Sequence, residues 1–126
     1  MKEVLAVIRM NKMNHTKQAL ADAGIASFTA RKVMGRGKGK VDYLLLQGAQ
    51  QGYEEAISQL APGPKLVPKR MLSLVVPDKS VPLVVKTIIA VNQTGHPGDG
   101  KVFVMPVREA LRVRTGELND AALDEN

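Results

Sequence analysis

Two stretches of this chain repeat one order of patterns, strand then helix then strand, and that repetition limits the fold more than any other feature. Residues 2–9, KEVLAVIR, alternate as a strand with Val4, Ala6 and Ile8 on one face and Leu5 and Val7 on the other. A helix is expected near 12–23, capped by Asn11 or Asn14, with Thr16, Ala19, Leu20 and Ala23 at i, i+3, i+4, i+7. Gly24 is placed to end it in the left-handed conformation, and 27–35, SFTARKVMG, reads as a second strand. The order then returns. Residues 69–76, KRMLSLVV, form a strand stopped by Pro77. Asp78 or Ser80 caps a helix whose buried stripe is Val81, Val84, Val85, Ile88 and Ile89, and 101–108, KVFVMPVR, gives a fourth strand. Pro106 marks an edge position or a strand end. The expected fold is α+β, a ferredoxin-like βαββαβ sandwich with both helices on one face of an antiparallel four-stranded sheet. Strand 1 and much of strand 3 are apolar on both sides, so the other face needs cover, and a homo-oligomer is inferred.

Between the halves lies 35–68, which opens with Gly35-Arg36-Gly37-Lys38-Gly39-Lys40 and closes with Pro62-Gly63-Pro64 and Pro68. A short helix over 53–60, YEEAISQL, fits inside it. Irregular stretches of this length in a small domain are functional or disordered. The length of 126 residues suits a single domain, 1–126, and the 44% hydrophobic content suffices for a core. Without Cys there are no disulfides, thiolate metal sites or Cys nucleophiles, and two distant His make a His-based metal site unfavourable. No apolar run reaches the roughly 20 residues of a membrane span, so a cytoplasmic protein is expected.

All 18 basic residues and 8 of the 12 acidic ones fall in 1–114, which leaves +10 there and an acidic tail over 115–126. A basic body favours an anionic partner. Two Tyr and two Phe provide little surface for stacking bases, which argues against nucleic acid. Gly95-x-x-x-x-Gly100-Lys101 matches the start of a P-loop, but position 102 is Val and the loop runs from helix to strand, so a P-loop nucleoside triphosphatase is rejected. An anion nest of another kind remains, beside the simpler reading of a Pro- and Gly-punctuated turn. Asp99, between two glycines, reads as a turn residue rather than a base. Arg112 and Arg114 alternate on what reads as an extended segment, so both forks point one way, toward a polyphosphate or toward the acidic tail. No catalytic constellation appears, so no enzymatic activity is expected, and the methionines read as core filler.

At this point the chain resembles the PII nitrogen-signalling family. Thr94-Gly-His-Pro-Gly-Asp-Gly-Lys-Val-Phe-Val104 is similar to its B-loop signature, and Arg112-Val-Arg-Thr-Gly-Glu117 to its C-loop signature. Gly35-x-Gly37 precedes the position of its exposed T-loop, and Leu74-Val-Val-Pro-Asp78 matches a strand–helix junction. The resemblance implies a homotrimer, with or without a paralogue, that binds ATP or ADP in clefts between subunits. Gly98, Asp99, Gly100 and Lys101 with Arg112 and Arg114 would hold phosphates. Thr29, Gly37 and Val75 would line the cleft, and Lys38 stands where many members have Arg. Lys69 matches the Lys that pairs with a carboxylate of the effector 2-oxoglutarate. Mg²⁺ would be shared by the ATP phosphates and that effector, although Gly39 replaces a Gln that assists the metal. Gln51 stands where many members carry a uridylylated Tyr, and Tyr43 and Tyr53 lie out of register. These departures resemble the NifI branch, which implies nitrogenase as the target. A general PII regulator of an ammonium transporter or a nitrogen-assimilation enzyme is the alternative.

Overall fold

The computed structural model describes residues 1–37 and 66–124. The expected short helix at 53–60 and the positions Lys38, Gly39, Tyr43, Gln51 and Tyr53 lie outside them. The elements follow the predicted order: β1 (Lys2–Arg9), α1 (Met13–Asp22), β2 (Thr29–Gly35), β3 (Val67–Val76), α2 (Val81–Asn92) and β4 (Lys101–Pro106). The sheet is antiparallel with strand order β2-β3-β1-β4, so β1 and β3 are central. This is the ferredoxin-like α+β arrangement.

The period-two reading of β1 places the core correctly. Val4, Ala6 and Ile8 are buried with Leu72, Leu74 and Val76 of β3, under Met13 and Leu20 of α1 and Val84 and Ile88 of α2. The opposite face carries Leu5 and Val7 beside Met71 and Phe103, and Phe103 is half-exposed. Gly24 ends α1 with φ 85°, as its position suggested. Pro106 closes the edge strand β4, where its missing N–H breaks no ladder.

Several local expectations need correction. Neither helix has a side-chain cap, because each is entered through a 3₁₀ turn, Met10–Lys12 and Asp78–Ser80. Asp78 instead accepts the Met1 amino group at 2.9 Å and the Lys2 ammonium at 3.3 Å. Ile89, assigned to the buried stripe of α2, is half-exposed. It stands at the rim of a groove of about 340 Å³ between α2 and β4, which among the described residues is an edge strand. Met10 and Met13 fill the core as expected, but Met34 on the other edge strand, β2, is half-exposed.

The two helices are joined by a buried polar link as well as by apolar packing. The Asn92 amide donates to Thr16 Oγ1 at 3.0 Å and to the Ile88 carbonyl at 2.9 Å, and the Thr16 hydroxyl donates to the Lys12 carbonyl at 2.8 Å. Thr16 is fully buried, so a Thr16→Val chain keeps the shape and leaves an Asn92 donor unpaired. A loss of about 1–3 kcal/mol is expected in denaturant unfolding at fixed protein concentration.

Candidate functional site

The helix-side core fixes β1, and β1 carries Arg9 at its end into a nearly closed position, 3% exposed. A guanidinium so far from water must be paired. Its Nη1 donates to Asp99 Oδ1 at 2.6 Å and its Nη2 to the Pro97 carbonyl at 2.9 Å, so the loop between α2 and β4 folds back onto the end of β1. The same carboxylate organises the loop from inside. Asp99 Oδ2 accepts the backbone N–H of Thr94 at 2.8 Å and of Gly95 at 3.0 Å, and Oδ1 accepts the Thr94 hydroxyl. Burial alone would raise the Asp99 carboxyl. The Thr94 hydroxyl, the Arg9 guanidinium and the two backbone N–H groups outweigh it and hold the group well below the usual carboxylate range.

Glycine is obligatory where the loop passes β1. Gly100 has φ 102°, and a Cβ there would lie 1.9 Å from the Val7 carbonyl oxygen. Lys101 follows at once, exposed at the start of β4 and opposite Val7 in the ladder. On the other side Lys69 of β3, in register with Arg9, donates from Nζ to the Gly98 carbonyl at 3.1 Å. Gly35 at the end of β2 lies against the Lys69 stem, and Gly37 is two residues further on. One end of the sheet therefore collects Gly37, Lys69, Gly98, Asp99, Gly100 and Lys101.

The remaining expected site residues lie further along the sheet, Thr29 in the row of Leu5 and Phe103 and Val75 nearer the start of β1. Thr29 starts β2 opposite Ser73, and Val75 faces Glu3. Ser73 stands four steps along β3 from Lys69, about 13 Å at the rise of a strand. Arg112 is tied to this region too. Its guanidinium donates to Glu117 Oε1 at 3.1 Å and to Asp124 Oδ1 at 3.4 Å, and Asp124 also accepts the hydroxyl of Ser27, two residues before β2.

The extended geometry expected for Arg112 and Arg114 is not what forms. The segment is a tight hairpin, closed by Arg112 N–H to the Glu117 carbonyl at 2.9 Å and Gly116 N–H to the Arg112 carbonyl at 2.7 Å. Gly116 takes φ 74° in this turn, which ends the alternation that the sequence suggested. Arg112 lies on its stem and Arg114, exposed, in its turn, with Val113 fully exposed between them. The residue that sequence reading missed is Arg9. The signal was present, a lone guanidinium ending an otherwise apolar strand. Asp99 proves to be the turn residue expected of it, with its carboxylate committed to the loop, so only its backbone is left for a ligand. Lys38 and Gly39 lie outside the described residues.

The chain is thus a four-stranded ferredoxin-like sheet with a glycine-rich loop clamped to its first strand and a basic hairpin at its far end. The model of the family described as nitrogen regulatory protein P-II matches residues 1–117. The chain is 45% identical over 123 residues to the nitrogen fixation nifHD region GlnB-like protein 2 of Methanobacterium ivanovii, covering 98% of this chain and 99% of that protein. It is also 45% identical over 126 residues to the nifHD1 region GlnB-like protein 2 of Methanosarcina barkeri, again 98% and 99% covered. To nitrogen regulatory protein P-II 1 of Escherichia coli K12 it is 38% identical over 123 residues, with 98% and 100% covered. The chain belongs to the P-II family, and its resemblance to the nifHD-region proteins exceeds that to the enterobacterial regulator.

Removing the Asp99 carboxylate takes from a buried guanidinium the charge that it meets at 2.6 Å. Asp99→Ala is expected to cost about 3 kcal/mol in denaturant unfolding, the lower end for a broken buried pair because Asp99 is a quarter exposed. Because the folded carboxyl is held down, its contribution is complete above about pH 4 and is lost as pH falls through and below the ordinary carboxylate range. The wild-type stability should therefore decline more steeply below that pH than the Asp99→Ala stability does.

Proposed function

We propose that this chain is a non-enzymatic sensor that binds ATP or ADP at an interface between copies of itself and 2-oxoglutarate beside it. It regulates a target, nitrogenase, through the 35–68 segment. The observation that carries the reading is the division of the site. Gly98–Lys101 and Lys69 stand at one end of the sheet and Val75, Arg112 and Arg114 toward the other, with Thr29 between them, so the two sets meet on one ligand more readily between copies than within one. A cyclic trimer places the loop end of one copy against the hairpin end of the next and covers the apolar sheet face in the same step.

The residues fit a nucleotide polyphosphate. Asp99 spends its charge on Arg9 inside the loop, so the cation beside it, Lys101, is left for a ligand. Among the described residues neither Lys101 nor Arg114 makes an ion pair. No described group of three His, Asp or Glu could hold a metal, so Mg²⁺ would take its oxygen ligands from phosphate and from the 2-oxo acid. Lys69 supplies the link between effector and loop. Its ammonium now holds the Gly98 carbonyl, and a carboxylate that draws it away changes the support of the phosphate loop and the exit of β2 together. A ligand moves that equilibrium only by preferring one state.

The nitrogenase assignment is supported by the naming of the similar archaeal proteins for a nitrogen-fixation gene region. A cytoplasmic location agrees with that role, and among the described residues no helix is long and apolar enough to cross a membrane. The 38% identity to the Escherichia coli regulator supports the alternative of a general regulator of an ammonium transporter or a nitrogen-assimilation enzyme.

Titration calorimetry should show ATP binding that weakens in Lys101→Ala and in Arg114→Ala while size-exclusion chromatography shows an unchanged trimer. 2-Oxoglutarate should bind with MgATP and not with ADP, and about tenfold or more weakly in Lys69→Ala, the loss expected of one charge-assisted contact. ATP affinity unchanged in both phosphate-site variants would remove the site assignment.

A further inference from the structure

We propose that the acidic C-terminal segment is a built-in competitor for the nucleotide, with the Asp124 carboxylate holding Arg112 until phosphate displaces it; this rests on the reading of Arg112 as a phosphate partner. Two acidic side chains reach that guanidinium, and they are held differently. Glu117 accepts the Thr115 hydroxyl at 2.7 Å as well as Arg112 Nη1, and its backbone carbonyl closes the hairpin. It is part of the rigid turn and sets the direction of the arginine. Asp124 arrives from outside the hairpin, after the 3₁₀ turn Asn119–Ala122. Its carboxylate bridges Arg112 Nη2 at 3.4 Å and the Ser27 hydroxyl, while the Ala122 carbonyl also accepts from Nη2 at 3.4 Å. The tail thus places a negative charge on Nη2 of the fork, a nitrogen that a two-pronged contact with polyphosphate would use.

Magnitudes decide which anion prevails. Asp124 is more than half exposed, and its bond to Arg112 is long. An ion pair of that kind is worth little, whereas a phosphate chain held by Lys101, Arg112 and Arg114 together adds several charge-assisted contacts. The tail is strong enough to occupy Arg112 and too weak to exclude ATP. Movement of Asp124 away from Arg112 also alters its bond to Ser27, two residues before β2, so nucleotide occupancy is relayed to the tail and to the edge of the sheet. By linkage, whatever the tail costs the nucleotide, the nucleotide costs the tail.

The test is ATP titration of the full chain against Asp124→Asn, Asp120→Asn and Arg112→Ala. Asn at 124 keeps an acceptor for Ser27 and removes the charge. Asp120→Asn makes the same charge change at a tail residue that does not touch Arg112. Asp124→Asn should tighten ATP about two- to fivefold, the range of one exposed ion pair. Asp120→Asn should leave it within error, and Asp124→Asn should have no effect in an Arg112→Ala background. Unchanged or weaker binding in Asp124→Asn overturns the competitor, as does an equal gain in Asp120→Asn. If Arg112→Ala itself leaves ATP affinity unchanged, Arg112 is no phosphate partner, and that reading falls together with the inference built on it.

Discussion

Everything the site can do depends on one buried ion pair, Arg9 to Asp99. The core holds β1 between β3 and β4, β1 ends in a guanidinium that has almost no water, and the loop from α2 returns to pair with it. The loop obeys at close range. Its backbone passes the Val7 carbonyl where even a methyl group has no room, and it turns directly into the exposed Lys101. The Asp99 charge is consumed within the scaffold, which is why a loop containing an acid can still face an anion.

The second constraint is distance. A strand-length separation divides the cationic groups between two ends of the sheet, and the chain carries its excess positive charge over residues 1–114. On the proposed reading, neighbouring copies that meet end to end gather like charges, so a polyanion between them would be favoured, and assembly and nucleotide binding would be one electrostatic problem. Arg112 meets it within the single chain by pairing with its own acidic tail.

Much of this was legible in the sequence, for identifiable reasons. The alternation of Val4, Ala6 and Ile8 and the spacing of Val84 and Ile88 report burial directly, so the sheet, both helices and the helix-covered face could be read. Gly24 and Pro106 were equally readable, because each has one conformational use at its position. The failures share a cause. Asn11, Asn14 and Ser80 look like caps, but the chain enters both helices through 3₁₀ turns, and tertiary partners claim Asp78. Arg112 and Arg114 look like an alternating pair until a hairpin forms around Gly116. Arg9 drew no notice because its partner lies 90 residues away, a relation that periodicity does not carry. The family resemblance named the loop and hairpin residues together, while only the topology shows them at opposite ends of one chain.

The most direct test of a two-copy site is subunit mixing. Lys101→Ala chains and Arg114→Ala chains, each deficient in high-affinity ATP binding, would be co-refolded in equal amounts and titrated with ATP. A cleft shared between neighbours draws its loop from one chain and its hairpin from the next. Random mixing should then regenerate wild-type affinity in about a quarter of the clefts. A site contained within a single chain gives no such recovery, and a mixture that binds ATP only as weakly as its two components would contradict the account.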